Sequence, residues 1–172
     1  MWGKWAHLDY NCEFVYQFGT FGKGDISAWT AASDIGYTFE SVPWKPRFGF
    51  KADITSGDRS PNDHDLDTFN SLFPRGAYFS ETALISPANH IDLHPSLELN
   101  PIAKLKLTLD CGFFWRESTH DAIYGNAVNV IVPVGSSRDR YVGNQIQFLG
   151  EWQLQRQFTL SMAYVHFSAV TS

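Results

Sequence analysis

Read at a period of two, this chain separates into an apolar row and a polar row almost from end to end. In "KLKLTLDCGFFWRES", residues 104–118, Leu105, Leu107, Leu109, Cys111, Phe113 and Trp115 share one side, and Lys106, Thr108, Asp110, Gly112, Phe114 and Arg116 share the other. Successive side chains of a strand point to opposite faces, so this spacing predicts a strand with one oily face and one wet face. The same alternation recurs along the chain. "DYNCEFVYQFG" sets Tyr10, Cys12, Phe14, Tyr16 and Phe18 against Asp9, Asn11, Glu13 and Gln17, and "ISAWTAASDIGYTF" sets Trp29, Ala31, Ile35 and Tyr37 against Ala28, Thr30, Asp34 and Thr38. "RFGFKADIT" sets Phe48, Phe50 and Ile54 against Arg47, Lys51 and Asp53, and "HIDLHPSLEL" sets Ile91, Leu93 and Leu97 against His90, Asp92, His94 and Glu98. "YVGNQIQFLGEW" and "FTLSMAYVHF" continue the pattern. The expectation is an all-β antiparallel meander of about seven strands with no convincing helix.

The links between these strands alternate as well. "ESVPWKP", "NPIA" and "QLQRQ" are tight, and "GTFGKGD" is fairly short. After "RFGFKADIT" and after "KLKLTLDCGFFWRES" come long polar stretches, "SGDRSPNDHDLDTFNSLFPRGAYFSETALISPA" and "STHDAIYGNAVNVIVPVGSSRD". A meander puts every second connection at the same end of the sheet, so one rim has short turns and the other long loops. Short turns on one side, long loops on the other and strands of about ten residues with apolar exteriors are the layout of an outer-membrane barrel. Phe39, Trp44, Trp152 and Phe158 flank the short turns, and Trp115 and Tyr141 adjoin a long loop, where an aromatic girdle belongs.

Composition narrows the alternatives. With 16% aromatic and 18% charged residues the chain is ordered. A net charge of -5 gives no basic stripe for a nucleic-acid backbone. A soluble sandwich or lipocalin-type barrel also alternates, but its polar rows are usually dense in Lys and Glu. Here they hold Asn, Gln, Thr, Ser, Gly and scattered opposite charges, which suits a water-filled lumen. Cys12 and Cys111 lie on the apolar side about a hundred residues apart, and are read as small hydrophobes. No segment reaches the roughly 18 apolar residues of a spanning helix, so a membrane would be crossed by strands.

The segments "FESVPWKPRFGFKADITSGDR", "TFNSLFPRGAYF", "NHIDLHPSLEL" and "FFWRESTHDAIYG" resemble the alginate export family of outer-membrane porins. The resemblance runs from about Asp9 to Phe167. It implies an 18-stranded barrel in the Gram-negative outer membrane that passes an anionic polysaccharide or a related small solute. About seven strands cannot close so wide a barrel. The chain, which shows no signal peptide and ends at "HFSAVTS" after a strand, is therefore expected to be the C-terminal portion of a longer barrel or a truncated gene product, a single segment over residues 1–172. Alone it would be an open curved sheet with two edges, a partial transmembrane barrel whose partners are the bilayer and the remaining strands.

The polar rows supply the candidate pore-lining and solute-contact residues: Arg47, Lys51 and Asp53; His90, Asp92 and His94; and Lys106, Asp110 and Arg116. Such groups either replace part of a solute's hydration or brace the wall as cross-strand pairs. Acidic candidates, which include Asp9, Glu13, Asp34, Glu98 and Glu151, outnumber the cations. Arg75 sits in "FPRGAYF", whose apolar flanks predict a loop that folds inward and constricts the pore. His90, Asp92 and His94 share a face at two-residue spacing and would offer two imidazoles and a carboxylate to a divalent ion. With no further ligand in view, hydrogen-bonded lumenal histidines are the simpler reading, and no metal or cofactor is expected. No G-x-S-x-G elbow is present, and no enzymatic activity is expected. The rival is a soluble or secreted sheet that binds carbohydrate through exposed aromatics such as Trp29 and Trp115. It would cover the apolar ribbon with a second layer.

Overall fold

In the computed structural model, which describes residues 1–72 and 78–170, the alternation becomes β1 (Trp2–Trp5), β2 (Leu8–Phe21), β3 (Gly24–Thr38), β4 (Arg47–Thr55), β5 (His90–Ile102), β6 (Leu105–Trp115), β7 (Ile123–Tyr124), β8 (Val130–Val132), β9 (Tyr141–Gln155) and β10 (Phe158–Ala169). Eight of them form one antiparallel sheet in the order β1-β2-β3-β4-β5-β6-β9-β10, and β7 pairs with β8. Among the described residues there is no α-helix, only a 3-10 turn at Asn126–Val128. The expected all-β meander is what forms. β1 adds an eighth strand that four residues of alternation were too short to signal, and the β7–β8 ribbon lies inside a stretch read as plain loop.

The register carries the face assignment through the body of the sheet, with shifts at Leu99/Ile102, Phe114/Trp115 and Phe158/Thr159 near strand ends. Glu13 stands opposite Ala32, Ala32 opposite Asp53, and Asp53 opposite Asp92. On the other face Tyr37 stands opposite Phe48, Phe48 opposite Leu97, and Leu97 opposite Leu109. One rim carries the connections at 6–7, 39–46, 103–104 and 156–157, and the other carries 22–23, 56–89 and 116–140. The connection after β2 is tighter than its sequence suggested, because both strands run on to a two-residue turn. Gly22 takes φ 65 at its first central position, a backbone that suits glycine and matches the twist of the flanking strands.

β4 stops at Thr55, which leaves the upper half of β3 without a strand on that side. The first long loop fills the gap. Leu66 exchanges backbone hydrogen bonds with Asp25 and Ser27 at 2.8 and 3.2 Å, and the Ser56 backbone N–H donates to the Trp29 carbonyl at 2.9 Å. The loop is thereby laid against the sheet instead of standing off it.

Burial is inverted relative to a water-soluble sheet. Phe14 is 69% exposed, Phe48 57% and Met162 68%, whereas Asp92, His94 and Arg116 are at most 3% exposed. The few buried apolar side chains, among them Phe69, Phe79 and Phe114, sit between the polar face and the loops folded onto it. The core therefore lies on the polar side, and among the described residues Arg116 is the largest of the fully buried side chains. Cys12 and Cys111 are both free, as expected for β2 and β6 on the apolar face.

Candidate functional site on the polar face

Three groups of side chains organise the polar face. Nearest the short-turn rim is Arg47, whose guanidinium ties four strands together. Its Nε and Nη2 donate to Asp9 on β2 at 3.0 and 2.6 Å, Nη2 also to Asp34 on β3 at 3.3 Å, and Nη1 to Glu98 on β5 at 3.1 Å. Reaching β2 from β4 means crossing β3, and the crossing point is Gly36. A Cβ there would lie 2.0 Å from the Arg47 Cζ. Gly36→Val is expected to lift the guanidinium off Asp9 and to cost about 1–3 kcal/mol, as overpacking does. The urea midpoint of the folded protein measures it, and an unchanged midpoint would show that the clasp contributes nothing.

Towards the loop rim the second group brings together Lys51, Asp53, His90, Asp92, His94 and Asp110. The two oxygens of Asp92 face different imidazoles, with His90 Nε2 at 3.2 Å and His94 Nε2 at 3.3 Å, and His94 Nδ1 is 2.8 Å from Asp110 Oδ1. The carboxylate lies between the imidazoles, so the three do not converge on one point. Among the described residues no group of three or more His, Cys, Asp or Glu is arranged to hold a metal ion. Gly112 makes room for His94 in the way Gly36 does for Arg47, since a Cβ on it would be 2.8 Å from the imidazole Cε1.

The loop residues that follow the predicted constriction close over this second group. Lys51 Nζ donates to the Tyr78 carbonyl at 2.9 Å, sits 3.6 Å from the centre of the Tyr78 ring, and is 3.8 Å from Asp53 Oδ2. The Phe79 ring lies 4.6 Å from His90 and 6.0 Å from His94 between centroids, and its carbonyl accepts from Gln145 Nε2 at 3.0 Å. Burial, with the Asp53 carboxylate adding to it, pushes the Tyr78 phenol well above its ordinary range. Arg75 itself lies outside the described residues.

The third group ties the two long loops to each other. Asn89, 2% exposed, donates from Nδ2 to the carbonyls of Ser118 and Ala122, each at 2.9 Å, and its Oδ1 accepts from the Ser118 backbone N–H at 2.6 Å. Asp121 accepts from the Thr68 hydroxyl at 2.6 Å and the Tyr124 hydroxyl at 2.7 Å. Arg116 belongs here and not with the wall charges. It donates to the carbonyls of Asp139 and Ser137, with Nε to Asp139 at 2.9 Å. Lys106 stands apart, 2.6 Å from Glu151 on the neighbouring strand.

Of the residues expected from sequence, the fold therefore gathers Lys51, Asp53, His90, Asp92, His94 and Asp110, and separates Arg47, Lys106 and Arg116. The sequence reading missed Asn89, Phe79, Gln145 and Asp121 as organising groups. One signal was present for the wall: Gly36 and Gly112 interrupt the polar rows where a long polar side chain lies across them.

No curated protein matches the chain. The model of a family described as alginate export matches residues 1–169.

Proposed function

The chain belongs to the alginate export family, and from that premise we propose that its sheet is a stretch of the wall of a passive outer-membrane pore, apolar face to lipid and polar face to a hydrophilic solute. The family is one of outer-membrane porins and not of enzymes, and at the level of the family the solute is alginate. The observation that carries the reading is the inverted burial. A face bearing Phe14, Phe48, Phe50 and Leu109 bare is far too apolar for water, and in a bilayer it is the stable arrangement, with the backbone polar groups satisfied between strands. A soluble carbohydrate-binding sheet would need a second layer there, and the long loops pack on the opposite side.

In this reading β1 and β10, the two edges of the sheet, are paired by the remaining strands of a closed barrel. Arg47, Lys51, Asp53, His90, Asp92, His94, Lys106, Asp110 and Arg116 frame the path of an alginate-like polyanion, and Arg75 comes from the loop that narrows it. Lys51 and Gln145 hold that loop down through the Tyr78 and Phe79 carbonyls. The test is single-channel recording in planar bilayers. The natural protein is expected to give conductance steps, and replacing residues 57–88 by a short Gly-Ser turn is expected to enlarge them. Absence of steps, or steps of unchanged size after the replacement, would sink the proposal.

A further inference from the structure

Each of three successive short turns carries one exposed cation. In sheet order, the connection between β3 and β4 (39–46) carries Lys45, that between β5 and β6 (103–104) carries Lys104, and that between β9 and β10 (156–157) carries Arg156. Neighbouring strands lie about 4.8 Å apart, so these turns follow one another at intervals of roughly 10 Å along the rim. The carboxylates nearby are taken up by other groups. Glu40 faces Lys4 and His7, each at 3.9 Å, Arg47 gathers Asp9, Asp34 and Glu98, and Glu151 is held by Lys106. Among the described residues, no carboxylate lies within ion-pair range of Lys45, Lys104 or Arg156.

The first of these turns is held in an unusual shape. Trp44 and Lys45 take φ 67 and 45, a left-handed backbone that a bulky side chain rarely adopts. The Lys45 N–H donates to the Val42 carbonyl at 3.0 Å, and the Asn100 N–H of β5 donates to the Trp44 carbonyl at 2.7 Å. Backbone strain persists only where the surroundings hold it, and it gathers at binding sites. What this turn presents is an indole 57% exposed, followed by an exposed ammonium. The apolar face beside it fixes the depth in a bilayer. Tyr37, Phe39 and Phe48 join ring to ring there, at 4.8 and 5.8 Å between centroids, and Trp152 and Phe158 flank the turn bearing Arg156. Aromatic belts sit at headgroup level, which sets the cations of the turns just beyond them, where lipid phosphates lie. The opposite rim differs in sign, its first long loop carrying Asp58, Asp63, Asp65 and Asp67.

We infer that the short-turn rim is a binding surface for anionic phospholipid of the periplasmic leaflet, with Lys45, Lys104 and Arg156 each drawn to a negative headgroup and Trp44 seated at the headgroup boundary. This rests on the apolar face meeting lipid. A zwitterionic headgroup would leave the three charges unneutralised, and a basic side chain near an anionic surface favours its neighbour roughly fivefold.

Spin-labelled lipids test it. With the full chain inserted in phosphatidylcholine vesicles, electron paramagnetic resonance separates motionally restricted lipid at the protein surface from bulk lipid. Spin-labelled phosphatidylglycerol is expected to associate about twofold more strongly than spin-labelled phosphatidylcholine, the preference at each cation being diluted by surface lipids that face none. Lys45→Gln with Lys104→Gln and Arg156→Gln is expected to abolish the preference. Lys23→Gln with Arg138→Gln, at the opposite rim, is expected to leave it unchanged. Should the triple variant fail to insert, Lys45→Gln alone is expected to lower the preference, and about 1 M salt to remove it from the natural protein. Equal association of the two lipids, or a preference that survives the triple substitution or follows Lys23 and Arg138, would overturn the inference. The two failures are separable. Restricted lipid in equal amount with both labels leaves the apolar face on lipid, whereas no restricted lipid with either label removes that reading and the inference together.

Discussion

Phe148→Arg is expected to destabilise the protein in lipid by about 2–4 kcal/mol, the effect of an arginine on the lipid face near the bilayer midplane. Phe148 lies mid-strand on β9, opposite Leu109 on one side and Tyr164 on the other, and it is 39% exposed. More than a third of the residue is bare, so the arginine replaces a half-exposed ring and not a buried one. If that face met water, an added charge would move stability by no more than about 0.5 kcal/mol. The two environments thus differ by several-fold in the expected effect. Urea titration of the protein folded into phospholipid vesicles measures it. Ser161→Arg is the control, because Ser161 is on the polar face opposite Glu151 and the new guanidinium has a carboxylate to meet. A Phe148→Arg midpoint equal to that of Ser161→Arg would remove lipid from the account of this face.

Asn89→Ala is expected to cost about 3 kcal/mol and to free both long loops while leaving the sheet intact. The side chain makes three hydrogen bonds in a buried site, and each is worth roughly 1 kcal/mol, with more lost when the partner is left unsatisfied. The backbone adds to this. Asn89 has φ 50, which asparagine tolerates better than alanine. Limited proteolysis should show faster cleavage within 57–88 and 117–139 at unchanged strand protection. Asn89→Asp keeps the acceptor for the Ser118 N–H but sets a carboxylate oxygen against the two carbonyls in a buried site, so it should cost at least as much as Asn89→Ala. If Asn89→Ala cleaved no faster, the loops would be held by the Asp121 contacts with Thr68 and Tyr124 instead.

Much of the fold was legible because side chains in a strand alternate strictly. One slip of register would have turned Phe48, Phe50 and Leu109 to the wrong side, so the period alone settled which residues share a face. Segments too short or too irregular to show a period were not legible. β1 is four residues long, and β7 and β8 are two and three. The candidate site was half legible. Lys51, Asp53, His90, Asp92, His94 and Asp110 meet because their strands are neighbours, which a meander implies. Asn89 gave no sign, since a lone Asn at the end of a polar loop reads as turn chemistry, and the two partners of its side chain, Ser118 and Ala122, lie about thirty residues further on.

What the sequence by itself determined is therefore the sheet, its two faces, its two unlike rims and the excess of carboxylate on the polar side. All of these follow from local periodicity and from counting charges. What only the tertiary structure decided is which charges are used up, and by whom. Arg47 takes three carboxylates because Gly36 lets its side chain lie across β3, and Lys51 turns to a carbonyl because the loop carrying Tyr78 folds over it. Pairing between charges depends on distances of a few ångströms between residues far apart in the chain, and no one-dimensional pattern carries those distances.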